Sequence, residues 1–262
     1  MITPAVIDIK TDEIFQILPR APIVEAVIEI RARATQTLEE SSLRAALEPR
    51  LAGYDFLDSL REFYGELKIE GGKPPTQKVS ELGWMGVRFQ STDGKHIAQF
   101  KRDGFVFSRL EPYLTWEQLY GEQQRLWAIF KALAEPAEIQ RVGLRYINRI
   151  KLPPGELRFE DYMQPAPLAP RDLDLPFHGF THHDTLAVPD RPYAINVIRT
   201  IQPQRDAGDS AIALILDIDV FTTESFDLDE ALLGRRLIEM RWLKNKAFFG
   251  SITEKALETF RC

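Results

Sequence analysis

The chain has 262 residues, 44% hydrophobic and 27% charged, which argues for a substantial buried core and against wholesale disorder. A net charge of −6 argues against a protein whose whole surface binds nucleic acid, although a local basic face is compatible with it. The only cysteine is Cys262, which excludes an intrachain disulfide and a cysteine-held zinc, and suits a cytoplasmic location.

Asp8, Lys10, Asp12 and Glu13 interrupt the apolar residues of Met1 to Arg20, so no signal peptide is expected there. No run approaches the roughly 18 apolar residues that span a bilayer, and no membrane partner is expected. Ile23 to Arg33 alternates apolar and polar residues and predicts a half-buried strand. Thr37 and Glu40 have the spacing of a capping box, which predicts a short helix ending near Glu48, before Pro49. Phe63 to Glu70 predicts a strand, and Gly71, Gly72, Pro74 and Pro75 a loop.

Gly83 to Ile150 is the most legible stretch. Trp84 to Gln90, His96 to Lys101 and Phe105 to Leu110 predict three strands, joined by turns at Asp93-Gly94 and Asp103-Gly104. Asp-Gly supplies the positive φ of a tight hairpin, so the three form a meander. Thr115 and Gln118 form a capping box for an amphipathic helix that places Trp116, Leu119, Tyr120, Leu126, Trp127, Phe130 and Leu133 on one face, and Pro136 ends it. Arg141 to Lys151 predicts another strand.

Six of the chain's 17 prolines fall in residues 152 to 177, which predicts a long connection with one helical turn near Phe159 to Met163. Three strands follow, about His178 to Val188, Tyr193 to Gln202 and Ala211 to Phe221. Asp227 with Glu230 opens a long helix carrying the stripes Leu228/Leu232/Trp242 and Leu233/Leu237/Met240/Ala247. Gly250 interrupts it. Ser251 and Glu254 then cap a last helix bearing Ile252, Ala256, Leu257 and Phe260.

Hairpin strands followed by helices predict an α+β fold. The expected form is one curved, mainly antiparallel sheet built from two pseudo-repeated β-α-β(n)-α units, with the long helices on one face. Residues 1–262 then form a single compact chain, its halves (about 20–140 and 141–262) joined through the proline-rich connection.

The segments PRAPIVEAVIEIR (19–31), DGKHIAQFKRDGFVFSRLEPYLTWEQL (93–119), RVGLRYINRI (141–150) and LKNKAFFGSITEKALETF (243–260) resemble an uncharacterised, sporadically distributed family of bacterial proteins of about this length. The resemblance covers nearly the whole chain and implies a bacterial cytoplasmic protein. It implies no activity, cofactor or catalytic residue. A patchy distribution points to mobile or defence-associated gene neighbourhoods.

Residues two apart on a strand share a face. Arg88, Gln90, Gln99, Lys101, Ser108, Arg145 and Arg149 are therefore expected on the face away from the helices. Residues 84–110 and 141–151 carry nine basic against two acidic side chains, whereas residues 178–221 carry three against six. Arg88, Lys101, Arg145, Arg149 and Arg199 are the candidate ligand-binding residues, because arginine forks grip anions. Phe89, Phe100, Phe105 and Phe107 read as core, with a base-stacking platform as the alternative.

Asp217 and Asp219 share a strand face, and with His182 and Asp184 they are the candidate divalent-metal set. The alternative is that these aspartates pair with Arg199 or with basic residues of the first half. No nucleophile elbow, Walker loop or dinucleotide glycine pattern is present, and Cys262 is a poor nucleophile. No catalytic residue and no resident cofactor are expected.

The leading expectation is a non-catalytic binding or regulatory protein whose polar sheet face contacts an anionic small molecule, a nucleic acid or a protein. The alternative is a metal-dependent enzyme acting on phosphate esters or nucleotides through Asp217 and Asp219. A third reading is a homodimer formed through the apolar surface of the last two helices.

Overall fold

The computed structural model describes residues 7–69, 74, 76–152, 158–172, 175, 177–203 and 212–261. The loop expected at Gly71, Gly72 and Pro75, the prolines Pro153, Pro154 and Pro176, and Cys262 lie outside the described residues.

The fold is α+β, an open ten-stranded sheet with four helices. The elements in chain order are β1 (Ile23–Ala34), α1 (Glu40–Leu47), β2 (Tyr54–Lys68), β3 (Thr76–Ser91), β4 (His96–Lys101), β5 (Gly104–Leu110), α2 (Trp116–Ala134) and β6 (Pro136–Lys151). There follow β7 (Thr181–Ala187), β8 (Tyr193–Pro203), β9 (Ile212–Thr222), the two-residue β10 (Phe226–Asp227), α3 (Glu230–Ser251) and α4 (Glu254–Arg261). Single 3-10 turns occupy Glu48–Arg50 and Phe159–Asp161, the second within the span expected to be helical. The sheet order is β2-β3-β4-β5-β1-β6-β9-β8-β7, with β10 added beside β6, and every pairing among these strands is antiparallel.

The meander forms where the Asp-Gly signals place it. Gly94 adopts φ 70°, and its amide donates to the Ser91 carbonyl at 2.7 Å. Gly104 adopts φ 149°, and a Cβ there would lie 2.1 Å from the Ile30 carbonyl oxygen. Only glycine lets β5 approach β1 this closely.

The helix starts differ from the sequence expectation in three of four cases. Thr115 caps α2 as expected, accepting from the Gln118 amide at 3.3 Å. At α1 the N-cap is Glu39 with no side-chain cap, so the Thr37–Glu40 box does not form. At α3 the cap is Asp229, which accepts from the Ala231 and Leu232 amides, because Asp227 is taken up by the β10 pairing to β6. At α4 Thr253, rather than Ser251, accepts from the Ala256 amide at 3.2 Å. Strand β2 also begins nine residues before the expected Phe63, at Tyr54. Its Tyr54–Glu62 portion lacks a clean alternation and is set by pairing with β3.

The alternation of β1 sets the layers. Ala26, Ile28, Ile30 and Ala32 are fully buried, whereas Glu25, Val27, Glu29 and Arg31 occupy the other face. Phe107 and Leu144 pair with Ile28, and Phe105 and Val142 with Ile30, extending the apolar layer. Phe89, Phe100, Phe105 and Phe107 all lie within this core, each at most 1% exposed. Trp127 and Phe130 of α2 pack on Phe105, and α3 packs on β6, β8 and β9. The outer part of the β2–β3 ribbon has no third strand, since β4 pairs with β3 only from Gly86 to Gln90. Phe63, Tyr64, Leu67, Val79 and Leu82 are exposed there. No helix among the described residues is long and apolar enough to cross a membrane.

Candidate functional site: a cationic pocket beneath an apolar rim

Strand register places the sequence-derived candidates. Arg88 stands opposite Gln99, Gln99 opposite Val106, and Val106 opposite Glu29. Arg145 stands opposite Val27 and Asp219. Arg88, Lys101, Arg145, Arg149, Asp217 and Asp219 therefore share the polar face. Arg199, His182 and Asp184 are on the opposite face, because Arg199 pairs with the buried Leu216 and with His182. The histidine on the face of Asp217 is His183, paired with Ile198. The odd spacing from β7 to β9, invisible without the register, separates the expected metal ligands. Among the described residues no group of three or more His, Cys, Asp or Glu side chains is placed to hold a metal ion.

The cations of the polar face meet carboxylates. Arg88 grips Asp58 with a two-pronged contact, one prong at 2.7 Å, and holds that carboxyl below its ordinary range. Lys101 lies 3.1 Å from Asp103. Arg145 binds both oxygens of Asp217, at 2.8 and 2.5 Å, which raises the guanidinium's pKa further. Arg141 bridges Glu29 and Asp219, the latter at 2.9 Å. Burial pushes the Asp219 carboxyl up, and Arg141 and Arg145 pull against that shift. Arg149 has only a long contact to Glu111, at 3.6 Å. Arg199, 6% exposed, pairs with Asp184 and donates to the Pro165 carbonyl at 3.2 Å, pinning the segment after the 3-10 turn. The positive and negative strand groups thus neutralise one another across β6 and β9. They leave a polar depression of about 320 Å³ around Gly143.

A second concavity lies beneath α3, on the sheet face of Ala26 and Tyr146, and sequence reasoning missed it. It measures about 460 Å³ and is lined by residues 11–18 and 21–23, residues 113–117 leading into α2, Tyr146 and Asn148 of β6, and α3. The N-terminal segment forms one wall, held against α3 by Glu13. That carboxylate accepts from Trp242 Nε1 at 2.7 Å and Lys246 Nζ at 2.9 Å, and these bonds lower its pKa. Phe15 stacks on Phe249 at 5.7 Å.

Lys244 and Arg241, one turn apart on α3, both line this cavity. Lys244 is partly buried, with its ammonium nitrogen 4.0 Å from the Tyr146 ring centre. Burial pushes its pKa down to about 7, and the nearby Arg241 adds to the shift. The Tyr146 and Tyr113 hydroxyls are 3.1 Å apart, and burial raises both phenols. Neither therefore supplies an anion for Lys244, and no carboxylate among the described residues pairs with it. Arg241 stacks over Trp116 at 5.3 Å and has only a long contact to the exposed Glu117, at 3.8 Å.

The mouth mixes large apolar side chains with the exposed Thr11, Asp12, Gln16 and Glu117. Ile14 is 95% exposed and Ile17 87%, and both line the cavity with the exposed Leu114 and Ile238. Isolated exposed apolar residues are ordinary, but four around one opening form a patch. The sequence did hold a signal. Leu237, Met240, Lys244 and Phe248 follow the 3–4 residue spacing of a buried stripe, and the lysine breaks it. No protein family, no curated protein and no solved structure matches the chain.

Proposed function

We propose that the chain is a binding protein for a small amphipathic anion, held in the cavity beneath α3. The carrying observation is the pairing of four exposed apolar residues at the rim with Lys244 and Arg241 inside, neither of which has a close carboxylate partner. An apolar cavity with a few convergent polar groups is the usual form of a small-molecule site. The anionic ligand expected from the sequence is retained, and its site moves from the sheet's polar face to the helical side. That face supports the role less well, because Arg88, Lys101 and Arg145 are each engaged by an aspartate.

In this reading the two halves are variants of one unit and act as a single frame. Outward from the sheet centre the strands run β1-β5-β4-β3-β2 in one direction and β6-β9-β8-β7 in the other. A long helix follows each set. Phe105 touches α2 and Tyr146 touches α3, and register puts both on the side of Ile30 and Ala26, which supports helices on one face.

Thermal unfolding with octanoate, and with octylamine as the cationic counterpart, tests the proposal. Octanoate should raise the midpoint and octylamine should not. Arg241→Ala should reduce the octanoate shift at least threefold. Equal shifts from both amphiphiles, or none from either, would refute it.

A further inference from the structure

The surroundings of Lys244 fit chemistry as well as binding. We infer that Lys244 is an imine-forming amine, which condenses with the carbonyl of a 2-oxo acid whose carboxylate meets Arg241 and whose alkyl chain runs out over the rim. This rests on the pocket reading above and names its substrate class.

Three observations carry it. Lys244 reaches the cavity without a carboxylate to hold its proton, so the amine is available. The titratable groups that line the same cavity from α3, residues 113–117, β6 and the N-terminal segment are Arg241, Glu117, Tyr113, Tyr146, Asp12 and Glu13. Of these, Asp12 is exposed and forms no ion pair with Lys244, Glu13 is engaged by Trp242 and Lys246, Glu117 contacts Arg241, and both phenols stay neutral. Arg241 and Lys244 stand one turn apart on α3, about 4.5 Å along the axis, and both line the cavity, so one ligand can reach both side chains. Its contact with Glu117 is long and open, so an incoming carboxylate can displace it. A lysine desolvated beside another cation is also the standard arrangement for an amine nucleophile near neutral pH.

The step balances without an oxidant or reductant. The Nζ lone pair adds to the ketone carbon, and the carbonyl π pair moves to oxygen, which takes up a proton as the nitrogen loses one. The resulting hydroxyl leaves as water after accepting a second proton, the nitrogen lone pair closes the C=N bond, and the nitrogen releases its remaining proton, so that no proton is consumed overall. Amine and ketone become imine and water.

The test incubates the full chain with 2-oxooctanoate and sodium cyanoborohydride, which reduces the imine to a stable secondary amine, followed by peptide mass mapping. The expected result is one adduct per chain, on Lys244, favoured at least tenfold over every other lysine. Trapping should rise as the pH passes about 7, where the amine loses its proton. Lys244→Arg and Lys244→Met should abolish it. If octanoate shifts the midpoint while 2-oxooctanoate gives no adduct, or adducts spread over surface lysines, the imine inference is overturned and the binding proposal stands. If octanoate itself produces no shift, both fall together.

Discussion

Lys244 concentrates the physics of the molecule at one residue. Its folded pKa, pushed down to about 7, lies below the ordinary lysine value of 10.5. Between about pH 7 and about 10.5 the unfolded chain therefore binds a proton that the folded chain does not, so stability rises with pH across that window. At lower pH both states are protonated and the full cost of burying the ammonium is present. Above about pH 10 the buried phenols act in the opposite sense, because burial raises Tyr113 and Tyr146 and the folded state retains their protons. Lys244→Met should remove the rise between pH 7 and 9 and increase stability at pH 6 by about 1–3 kcal/mol, net of the lost contact with the Tyr146 ring. Denaturant titrations at the two pH values check both parts. A variant that keeps the native slope would place the titrating group elsewhere.

At the scale of elements, legibility depended on whether a local rule or a distant partner decided the outcome. The β3–β5 meander and α2 were legible because Asp93-Gly94, Asp103-Gly104 and the Thr115 cap are local signals. The start of β2 and the Asp229 cap were not, because pairing with β3 and with β6 decides them. The polar face was legible strand by strand from alternation. Its register across strands was not, which is why His182 and Asp184 turn away from Asp217 and Asp219. The pocket was hidden for a further reason. It needs residues 11–18, which have no periodicity, folded against an α3 lysine more than two hundred residues away in sequence. Two elements offer tests. Asp229→Ala removes the α3 cap and should cost about 1 kcal/mol, measurable as a lowered unfolding midpoint. Gly104→Ala drives a methyl group into the β1 backbone at Ile30 and should cost about 3 kcal/mol or more.

Over the whole molecule, the β1–β6 pairing joins strands β1–β5 to strands β6–β9 in one sheet, and one core runs beneath both sets. Fluorescence and far-ultraviolet dichroism should therefore report a single coincident unfolding transition. Two separated transitions would divide the chain. The apolar residues of α3 and α4 that invited a homodimer reading, such as Leu237, Leu257 and Phe260, are spent on the core. Open apolar surface lies on the outer β2–β3 ribbon, at the pocket mouth, and singly at Leu168, Leu175 and Leu186. Charge follows the same division. The polar face closes on itself through Arg141, Arg145, Asp217 and Asp219, while the cavity beneath α3 keeps Lys244 and Arg241 without close carboxylate partners. A crystal structure grown with octanoate tests this division most directly. The carboxylate should lie against Lys244 and Arg241, with the chain leaving past Ile14, Ile17 and Leu114. Octanoate bound on the polar sheet face, with the cavity beneath α3 left without it, would contradict the account.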